Sequence, residues 1–359
     1  MMSSAVVLVT GGSGFLGQHV IKHLQLHSSN LKEIRVLDLV SFRKKLEYKE
    51  SFPVRSFTGS ITNRDLVSEA CKGADAVLHI ASLVDSTLFP NEKALQEVNI
   101  KGTEVVLEAC KVNSVPILIY CSSISIYVGH DEVKKGTETT VPIPHKFMFE
   151  KYAKTKLKAQ NMVLGANGDI LKNGKELKTC AILPLAMYGE LDINLVYQYV
   201  THVKGTLIPR IPKLGKMEAE IQVSYVGNVA MMFVKALEVM RKEVDIGGEY
   251  FYAADDTPLQ TLPSLLQPYL DGTGHSFSSW YIPLWLVLIL VIIVQIVMAV
   301  IRPWKKVNTY FNIEGIRFLN KTFHVTYDKA KRILGYKPMY NLQSSINNSN
   351  VYYNSVLNK

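Results

Sequence analysis

Thr10-Gly-Gly-Ser-Gly-Phe-Leu-Gly17 is the stretch of this 359-residue chain that decides its fold. It follows a short apolar run at residues 5–9 and precedes apolar side chains with helical spacing. Glycines in this context let the backbone turn tightly and approach a pyrophosphate, which the free N–H groups at a helix N-terminus can bind. The stretch therefore predicts a dinucleotide site between a first strand and a first helix, formed by Gly11, Gly14, Phe15, Leu16 and Gly17.

Apolar, β-rich runs alternate with helical patterns after this stretch. The runs predict strands, and the patterns predict helices. The strands are expected at 5–10, 33–38, 53–57, 75–80 and 116–121, and the helices at 14–26, 63–71, 91–112 and 150–165. Strands that are apolar throughout are typical of parallel sheets covered on both faces. The predicted fold class is α/β, with a Rossmann-type doubly wound parallel sheet.

Asp38 ends the predicted second strand, twenty-one residues after Gly17. A carboxylate at this point accepts hydrogen bonds from the hydroxyls of an adenosine ribose. It would also repel a 2′-phosphate. The pattern therefore favours NAD over NADP as the cofactor, although Arg43 and Lys44 lie nearby in the sequence.

A second motif, Tyr152-Ala-Lys-Thr-Lys156, places a tyrosine and a lysine on one face of a predicted helix. A nearby ammonium group is expected to lower the pKa of the Tyr152 phenol, so that it can act as a general base. Ser123 stands at the end of the predicted strand 116–121, where ligands bind in such sheets. Ser123, Tyr152 and Lys156 are therefore the predicted catalytic residues.

One segment, residues 282–301, has no formally charged side chain and is flanked by Trp280, Tyr281 and Trp304. As a helix it would be about 30 Å long, which matches the hydrocarbon core of a bilayer. The net charge of +9 is concentrated after it, because residues 302–359 contain ten Lys or Arg and two Asp or Glu. Apolar, aromatic and basic residues in this order predict contact with membrane lipid, and no nucleic-acid partner.

The segment could span the membrane or be embedded from one side. If the amphipathic stretch at residues 326–338 packs on the main domain, both flanks of the segment lie on the same side. A simple span would place the tail across the bilayer, where Asn320-Lys-Thr322 could be a glycosylation acceptor. We favour the same-side placement. The four cysteines form no C-x-x-C pair, so a disulfide scaffold and a metal site are not expected.

The motifs together resemble the extended short-chain dehydrogenases/reductases, and in particular the 3β-hydroxysteroid dehydrogenase/Δ5-Δ4 isomerase family. The more specific matches are Cys121-Ser-Ser123, Tyr225-Val-Gly-Asn228 and the segment from Tyr250 to Pro258. The resemblance implies that Tyr152 removes the proton of a 3β-hydroxyl while Lys156 holds the nicotinamide ribose. It also implies that Ser123 binds the substrate oxygen and that Asn99 belongs to the cofactor site.

An isomerase step, which moves a proton from C4 to C6 of a 3-keto-5-ene, is also implied by the resemblance. Its acid/base candidates are Tyr252, Asp255 and Asp256, although two acids before Thr-Pro are also an ordinary turn signal. Three departures from the family pattern point to a shifted pocket: Ser60, Leu183-Pro184-Leu185 and Ser125.

Two other functions stay open. One is a decarboxylating sterol-4α-carboxylate 3-dehydrogenase, and the other is a catalytically weak membrane protein that binds NAD. The predicted organisation is an NAD-binding core (1–180), a substrate-binding region interleaved with it (181–278), a membrane-associated segment (280–302) and a basic tail partly packing on the core (303–359). The resemblance implies a steroid or sterol substrate and an endoplasmic reticulum location with a cytosolic catalytic domain, and it is compatible with a homodimer.

Overall fold

The computed structural model describes residues 4–357 except 205, 207, 243, 272 and 306. The strands are β1 (Ala5–Thr10), β2 (Leu31–Asp38), β3 (Val54–Thr58), β4 (Ala76–His79), β5 (Ile117–Cys121), β6 (Val133–Gly136), β7 (Lys178–Pro184), β8 (Ala186–Tyr188), β9 (Arg210–Leu214), β10 (Glu220–Ile221), β11 (Val223–Tyr225), β12 (Glu249–Ala253), β13 (Gln260–Thr261), β14 (Ser276–Ile282) and β15 (Phe323–Val325). The α-helices are α1 (Phe15–His27), α2 (Arg64–Cys71), α3 (Glu92–Leu95), α4 (Gly102–Val112), α5 (Glu150–Gly165), α6 (Val196–Lys204), α7 (Val226–Arg241), α8 (Leu262–Leu270), α9 (Leu284–Ile301), α10 (Ile313–Leu319), α11 (Asp328–Leu334) and α12 (Leu342–Leu357).

A seven-stranded parallel sheet in the order β12-β7-β5-β4-β1-β2-β3 forms the centre of the protein. One buried apolar cluster covers each face of this sheet. The chain starts in the middle of the sheet and winds outward in both directions, which is the doubly wound Rossmann arrangement. The predicted α/β fold class is therefore confirmed, and the predicted strands and helices lie within two residues of the observed elements.

The core extends beyond residue 180, where the sequence analysis placed its boundary. Strands β7 and β12 add two members to the central sheet. Helix α7 packs on α1 and covers one face of the sheet. The reason is that β12 pairs in parallel with β7 from Glu249 to Ala253, so chain from the predicted substrate region returns to the core.

The predicted helix at 91–112 is interrupted by a π-helical turn. Residues 96–101 form this turn between α3 and α4. A π-turn inserts an extra residue and changes which side chains face inward, and such turns are frequent at functional sites. Here the inward residue is Asn99, which is 1% exposed.

Helix α9 is the one described helix that is long and apolar enough to cross a membrane. It lies lengthwise on the body of the protein. Its less exposed side chains, apart from Leu286, form a single stripe with helical spacing, while its remaining side chains are exposed. The stripe consists of Leu284, Val287, Leu288, Val291, Gln295 and Met298, and its first half packs against Leu214, Ile313 and Ile316.

Both ends of α9 are attached to the same body. Before the helix, β14 pairs with β9. After it, the Arg302 guanidinium lies 4.6 Å from the centre of the Phe89 ring, and the Leu88 amide donates to the Thr309 carbonyl oxygen at 2.8 Å. The tail continues onto the body, because β15 pairs with β6 and β10.

Candidate active site

The loop between β1 and α1, which we name the glycine loop, has no room for a side chain at two of its glycines. Gly11 has a φ of +72°, and a Cβ atom there would lie 2.7 Å from the Ala81 backbone. A Cβ atom on Gly17 would lie 2.1 Å from the Gly11 carbonyl oxygen. Only glycine therefore lets β4, the loop and α1 approach this closely.

A cavity of about 620 Å³, which we name the cofactor cavity, opens above this loop at the carboxyl edge of the sheet. Its walls include all three predicted catalytic residues, Ser123, Tyr152 and Lys156. They also include the other predicted cofactor residues except Asn99, namely Gly11, Gly14, Phe15, Leu16, Gly17 and Asp38. The Asp38 carboxylate also accepts a hydrogen bond of 2.9 Å from the Ser13 amide, so it is held against the glycine loop.

The three predicted catalytic residues meet in this cavity. The hydroxyls of Ser123 and Ser82 lie close enough to the Tyr152 hydroxyl to act on its pKa. The Lys156 ammonium donates to the Cys121 carbonyl oxygen at 2.6 Å and to the Ser82 hydroxyl at 3.4 Å. The end of β5 and the first turns of α5 thus bring together groups that are about thirty residues apart in the sequence.

The expected lowering of the Tyr152 pKa is not found. Burial raises the pKa of Tyr152 above its usual value, and hydrogen bonds from Ser123 and Ser82 offset only part of this effect. The physical reason is geometric: the Lys156 ammonium is directed at the Cys121 carbonyl and lies 4.4 Å from the centre of the Tyr120 ring. The phenol is therefore neutral at neutral pH in this structure.

Lys156 itself titrates closer to neutral pH than a lysine in water. Burial lowers its pKa from 10.5 to about 8, although Cys121 acts in the opposite direction. At a pH between these two pKa values, Lys156 binds more protons in the unfolded chain than in the folded chain. Its contribution to the free energy of unfolding therefore rises with pH. Across the whole interval between the two pKa values, this contribution rises by about 3 kcal/mol.

Lys156→Met is expected to remove this pH-dependent contribution to stability. The difference in free energy of unfolding between wild type and variant, measured by urea titration in detergent, should shift by about 2 kcal/mol in favour of wild type from pH 7 to pH 10. Lys158→Met, at an exposed position on the same helix, is the matched control and should show no such shift. A constant difference for Lys156→Met would contradict the lowered pKa.

Asn99 supports this site from behind. Its amide oxygen accepts from Leu83 N–H at 2.8 Å and from the Ser82 hydroxyl at 3.1 Å. Its amide nitrogen donates to the Leu83 carbonyl and to the Thr155 hydroxyl. Asn99 does not line the cofactor cavity. The arrangement makes it a positioning residue for Ser82 and α5, while its place in the cofactor site stays a prediction.

A buried hydrogen-bonded chain, which the sequence analysis missed, connects the glycine loop to the π-turn. The Thr10 hydroxyl oxygen accepts from the amides of Ile80 and Ala81, so its own proton points to Nδ1 of His79 at 2.7 Å. His79 then donates from Nε2 to Thr103 at 3.0 Å, and Thr103 donates to the Asn99 carbonyl oxygen. Burial lowers the pKa of His79 to about 3, so the ring is a neutral structural link.

Tyr252, Asp255 and Asp256, the isomerase candidates, line neither this cavity nor the larger one described below. The Tyr252 ring is fully buried against Tyr127. The Asp255 carboxylate is buried and accepts hydrogen bonds from the amides of Tyr225 and Thr257. Asp256 pairs with the Tyr327 hydroxyl at 2.5 Å. Asp255 therefore holds a turn together, and this part of the structure does not bring the three groups to Tyr152.

The residues that depart from the family pattern do line the cofactor cavity. Ser60 lies on the same side as Asp38, and Pro184 and Leu185 follow β7 at the carboxyl edge. Ser125 is buried, and its hydroxyl has no hydrogen-bond partner in the described part of the protein. Pro184 and Leu185 give this part of the lining an apolar character, and Ser125 contributes one buried hydroxyl without a partner.

A second cavity, of about 740 Å³, adjoins the first at Ser86, Phe149 and Tyr152. We name it the outer cavity. It extends from Tyr152 between the segment at residues 85–90 and α5, and it is closed on the far side by Gln295 of α9 and by Asn312, Ile313 and Glu314. Tyr152 is thus shared by two cavities that together reach from the glycine loop to the apolar helix.

The family model described as "3-beta hydroxysteroid dehydrogenase/isomerase family" matches residues 8–284, which is well over half of the chain. Solved structures share the fold at low identity. A UDP-glucose 4-epimerase from Thermotoga maritima with UDP-glucose is 20% identical, with a TM-score of 0.70 over 98% of this chain and 99% of its own. A UDP-glucuronic acid 4-epimerase from Bacillus cereus in complex with NAD is 18% identical, with a TM-score of 0.70 over 99% of this chain and 100% of its own.

Proposed function

The chain belongs to the 3-beta hydroxysteroid dehydrogenase/isomerase family, and from this premise we propose that it oxidises a 3β-hydroxyl group of a steroid or sterol with NAD at a membrane surface. The observation that carries the proposal is the position of Tyr152. Tyr152 lines both the cofactor cavity and the outer cavity, and its hydroxyl lies close enough to the Ser123 hydroxyl for that group to act on its pKa. A substrate alcohol held beside Ser123 would therefore be near the proton acceptor and the cofactor.

NAD is the cofactor, and when bound it supplies the acceptor for the hydride that leaves the alcohol carbon. The residues present fit it, since Gly11, Gly14 and Gly17 place no side chain in the way of a pyrophosphate and the helix N-terminus supplies free N–H groups. Asp38 stands where the adenosine ribose would bind and disfavours a 2′-phosphate. Solved relatives of the same fold carry NAD in their complexes.

The residues of the chain divide the proton chemistry between them. Ser123 orients the substrate oxygen by a hydrogen bond, and Tyr152 takes its proton. Because burial raises the pKa of Tyr152, its basic form becomes more populated as pH rises, which favours oxidation at alkaline pH. Lys156, held by the Cys121 carbonyl and Ser82, would hold the nicotinamide ribose.

Two further activities, an isomerase step and the oxidation of a 4α-carboxysterol, have less support than oxidation of a 3β-hydroxyl group. An isomerase step would need a proton carrier other than Tyr252, Asp255 or Asp256, since none of them lines either cavity. The outer cavity gives a carboxylate no net attraction, because its lysines and acids balance. They are Lys146, Lys151, Lys154 and Lys158 against Asp85, Glu92, Glu150 and Glu314.

The membrane association rests on the outer face of α9. Ten large apolar side chains of the helix are exposed, from Trp285 at 65% to Ile301 at 40%. A contiguous apolar surface of this kind is typical of a membrane or protein contact. Because both ends of the helix are attached to one body, α9 lies in the interface with its outer face in the lipid. We propose that this membrane is the endoplasmic reticulum, as the family resemblance implies.

The function is tested by NADH formation. Detergent-solubilised protein is supplied with NAD or NADP and with 3β-hydroxy-5-ene steroids, sterols or a 4α-carboxysterol, and the products are identified by mass. We expect NADH and a 3-ketone from the first two classes, and a strong preference for NAD. Turnover of the carboxysterol alone, with release of carbon dioxide, would replace the proposal by the decarboxylating reaction. NAD binding without any turnover would favour the catalytically weak binding protein.

A further inference from the structure

The turn that follows α9 exposes two cations and a tryptophan. Arg302, Trp304 and Lys305 are all exposed, and Trp304 is exposed to 82%. The amides of Trp304 and Lys305 donate to the Ile301 carbonyl oxygen, so the turn directly continues the helix. With the outer face of α9 in lipid, these side chains lie at the level of the headgroups. Aromatic and basic residues are typical at this level of a membrane.

A third cation lies near the other end of the helix. Lys213 of β9 is paired in register with Tyr281 of β14, shortly before α9 begins. Residues in register on neighbouring strands project from the same face of a sheet, so Lys213 lies beside the exposed Tyr281 ring. A helix of 18 residues is about 27 Å long. Basic groups therefore lie near both ends of one apolar surface.

No carboxylate neutralises these cations in the described part of the protein. None of the three forms an ion pair there, and the Arg302 guanidinium lies over the Phe89 ring instead. The sequence has no Asp or Glu at residues 193–217 or 272–313. By contrast, Lys329, further along the basic tail, pairs with Glu249 at 2.6 Å. The charges near α9 are therefore available to a partner.

The acids on the elements that contact α9 and the turn after it are already engaged. Glu314 of α10, which packs on α9, pairs with Arg317 at 3.2 Å. In the segment that contains Phe89, the Asp85 carboxylate accepts hydrogen bonds from Thr87 and from the Asn91 amide. The surface formed by the outer face of α9 and the groups at its two ends is therefore apolar along its length and positively charged at its ends.

We propose that this surface binds a bilayer that carries anionic phospholipid. The phosphate and carboxylate groups of the headgroups pair with Lys213, Arg302 and Lys305, while the outer face of α9 enters the lipid. Guanidinium and ammonium groups form charge-assisted hydrogen bonds with such oxygens, and basic groups beside a membrane are attracted by its negative surface potential. The inference rests on the proposed function, whose membrane association it narrows to one lipid class.

The experiment compares flotation with two kinds of vesicle, phosphatidylcholine alone and phosphatidylcholine with a minority of phosphatidylserine. Each cation should contribute about 5-fold to binding of the anionic vesicles, the equivalent of ~1 kcal/mol. Wild type should therefore prefer these vesicles on the order of 10²-fold. The double variant Arg302→Gln, Lys305→Gln should lose about 30-fold of this preference and keep its binding to phosphatidylcholine.

The matched control is the double variant Lys331→Gln, Arg332→Gln. It removes two exposed charges of the same basic tail from α11, which packs on β12 and α7. Because charges far from the membrane are screened by salt, this control should keep the preference of wild type within about 2-fold. NADH formation in detergent should be unchanged in both double variants, which verifies that they are folded.

Equal binding of wild type to both kinds of vesicle would overturn the inference and leave the membrane association of the proposed function intact. An equal loss of preference in the two double variants would also overturn it, because net charge rather than the surface at α9 would then decide. Flotation with neither kind of vesicle would make both the membrane association and the inference wrong. Absence of NADH formation in wild type would refute the oxidation step alone, since flotation does not depend on turnover.

Discussion

Tyr152→Phe is expected to lower kcat for oxidation of the 3β-hydroxyl by about 10²- to 10⁴-fold, the range for loss of a general acid/base. The ring is buried, so phenylalanine keeps its packing and removes only the hydroxyl, whose pKa Ser123 and Ser82 influence. NADH formation at saturating steroid measures kcat, and intrinsic fluorescence titration measures NAD affinity. We expect NAD affinity to change little, because the glycine loop and Asp38 are untouched.

The matched control is Tyr269→Phe. Tyr269 is also buried, at 2% exposure, but it lies in α8 against Tyr353 and lines neither cavity. Its removal should leave kcat within about 2-fold of wild type, since it acts on stability alone. A Tyr152→Phe variant that kept wild-type turnover would show that the proton is taken by another group, and Ser123 would be the next to test.

The glycine loop illustrates what local sequence can predict. A strand, a tight turn and a helix start are determined by residues close together in the chain, and Gly11 and Gly17 are required by close backbone contacts. The approach of Tyr152 to Ser123 was also predictable, because carboxyl ends of parallel strands share one edge.

The electrostatic state of the same residues was not predictable in this way. A four-residue spacing places Lys156 on the same helix face as Tyr152, but it does not state where the ammonium points. The Cys121 carbonyl and the Tyr120 ring, which belong to another element, hold it in place. The raised pKa of Tyr152 is therefore a result of tertiary packing and burial, which no spacing rule contains.

His79 and Ser82 carry no recognisable signal because their roles depend on partners far along the chain. His79 connects Thr10 to Thr103. In the sequence, however, nothing distinguishes it from any other residue at the end of a buried strand. The way residues 181–278 interleave with the core depends on distant partners as well, because β12 pairs with β7 across a long insertion. Gln295, by contrast, was visible as an interruption of an apolar segment, but only the fold shows that it faces a cavity.

Replacing Ile289, Ile293 and Ile296 with lysine is expected to release the protein from membranes. These side chains are 46%, 52% and 59% exposed on the outer face of α9, so the substitutions remove apolar contact without disturbing the inner stripe. A lysine costs about 2.5–3.5 kcal/mol at the bilayer centre and less near its surface. Even about 1 kcal/mol for each of the three would lower the constant for partition into the membrane on the order of 10²-fold, and the membrane-bound fraction would fall with it. Flotation with phosphatidylcholine vesicles measures that fraction.

The control is a triple variant with lysine in place of Val112, Ile170 and Val351, which adds the same charge away from α9. These apolar side chains are 60%, 67% and 75% exposed. The control should float with the vesicles like wild type. NAD binding by both triple variants verifies that they are folded. Equal flotation of the α9 variant and wild type would contradict the contact of this face with lipid. Release of the α9 variant alone would support it, and it would follow that a substrate dissolved in lipid reaches the outer cavity at the helix that both anchors the protein and lines that cavity.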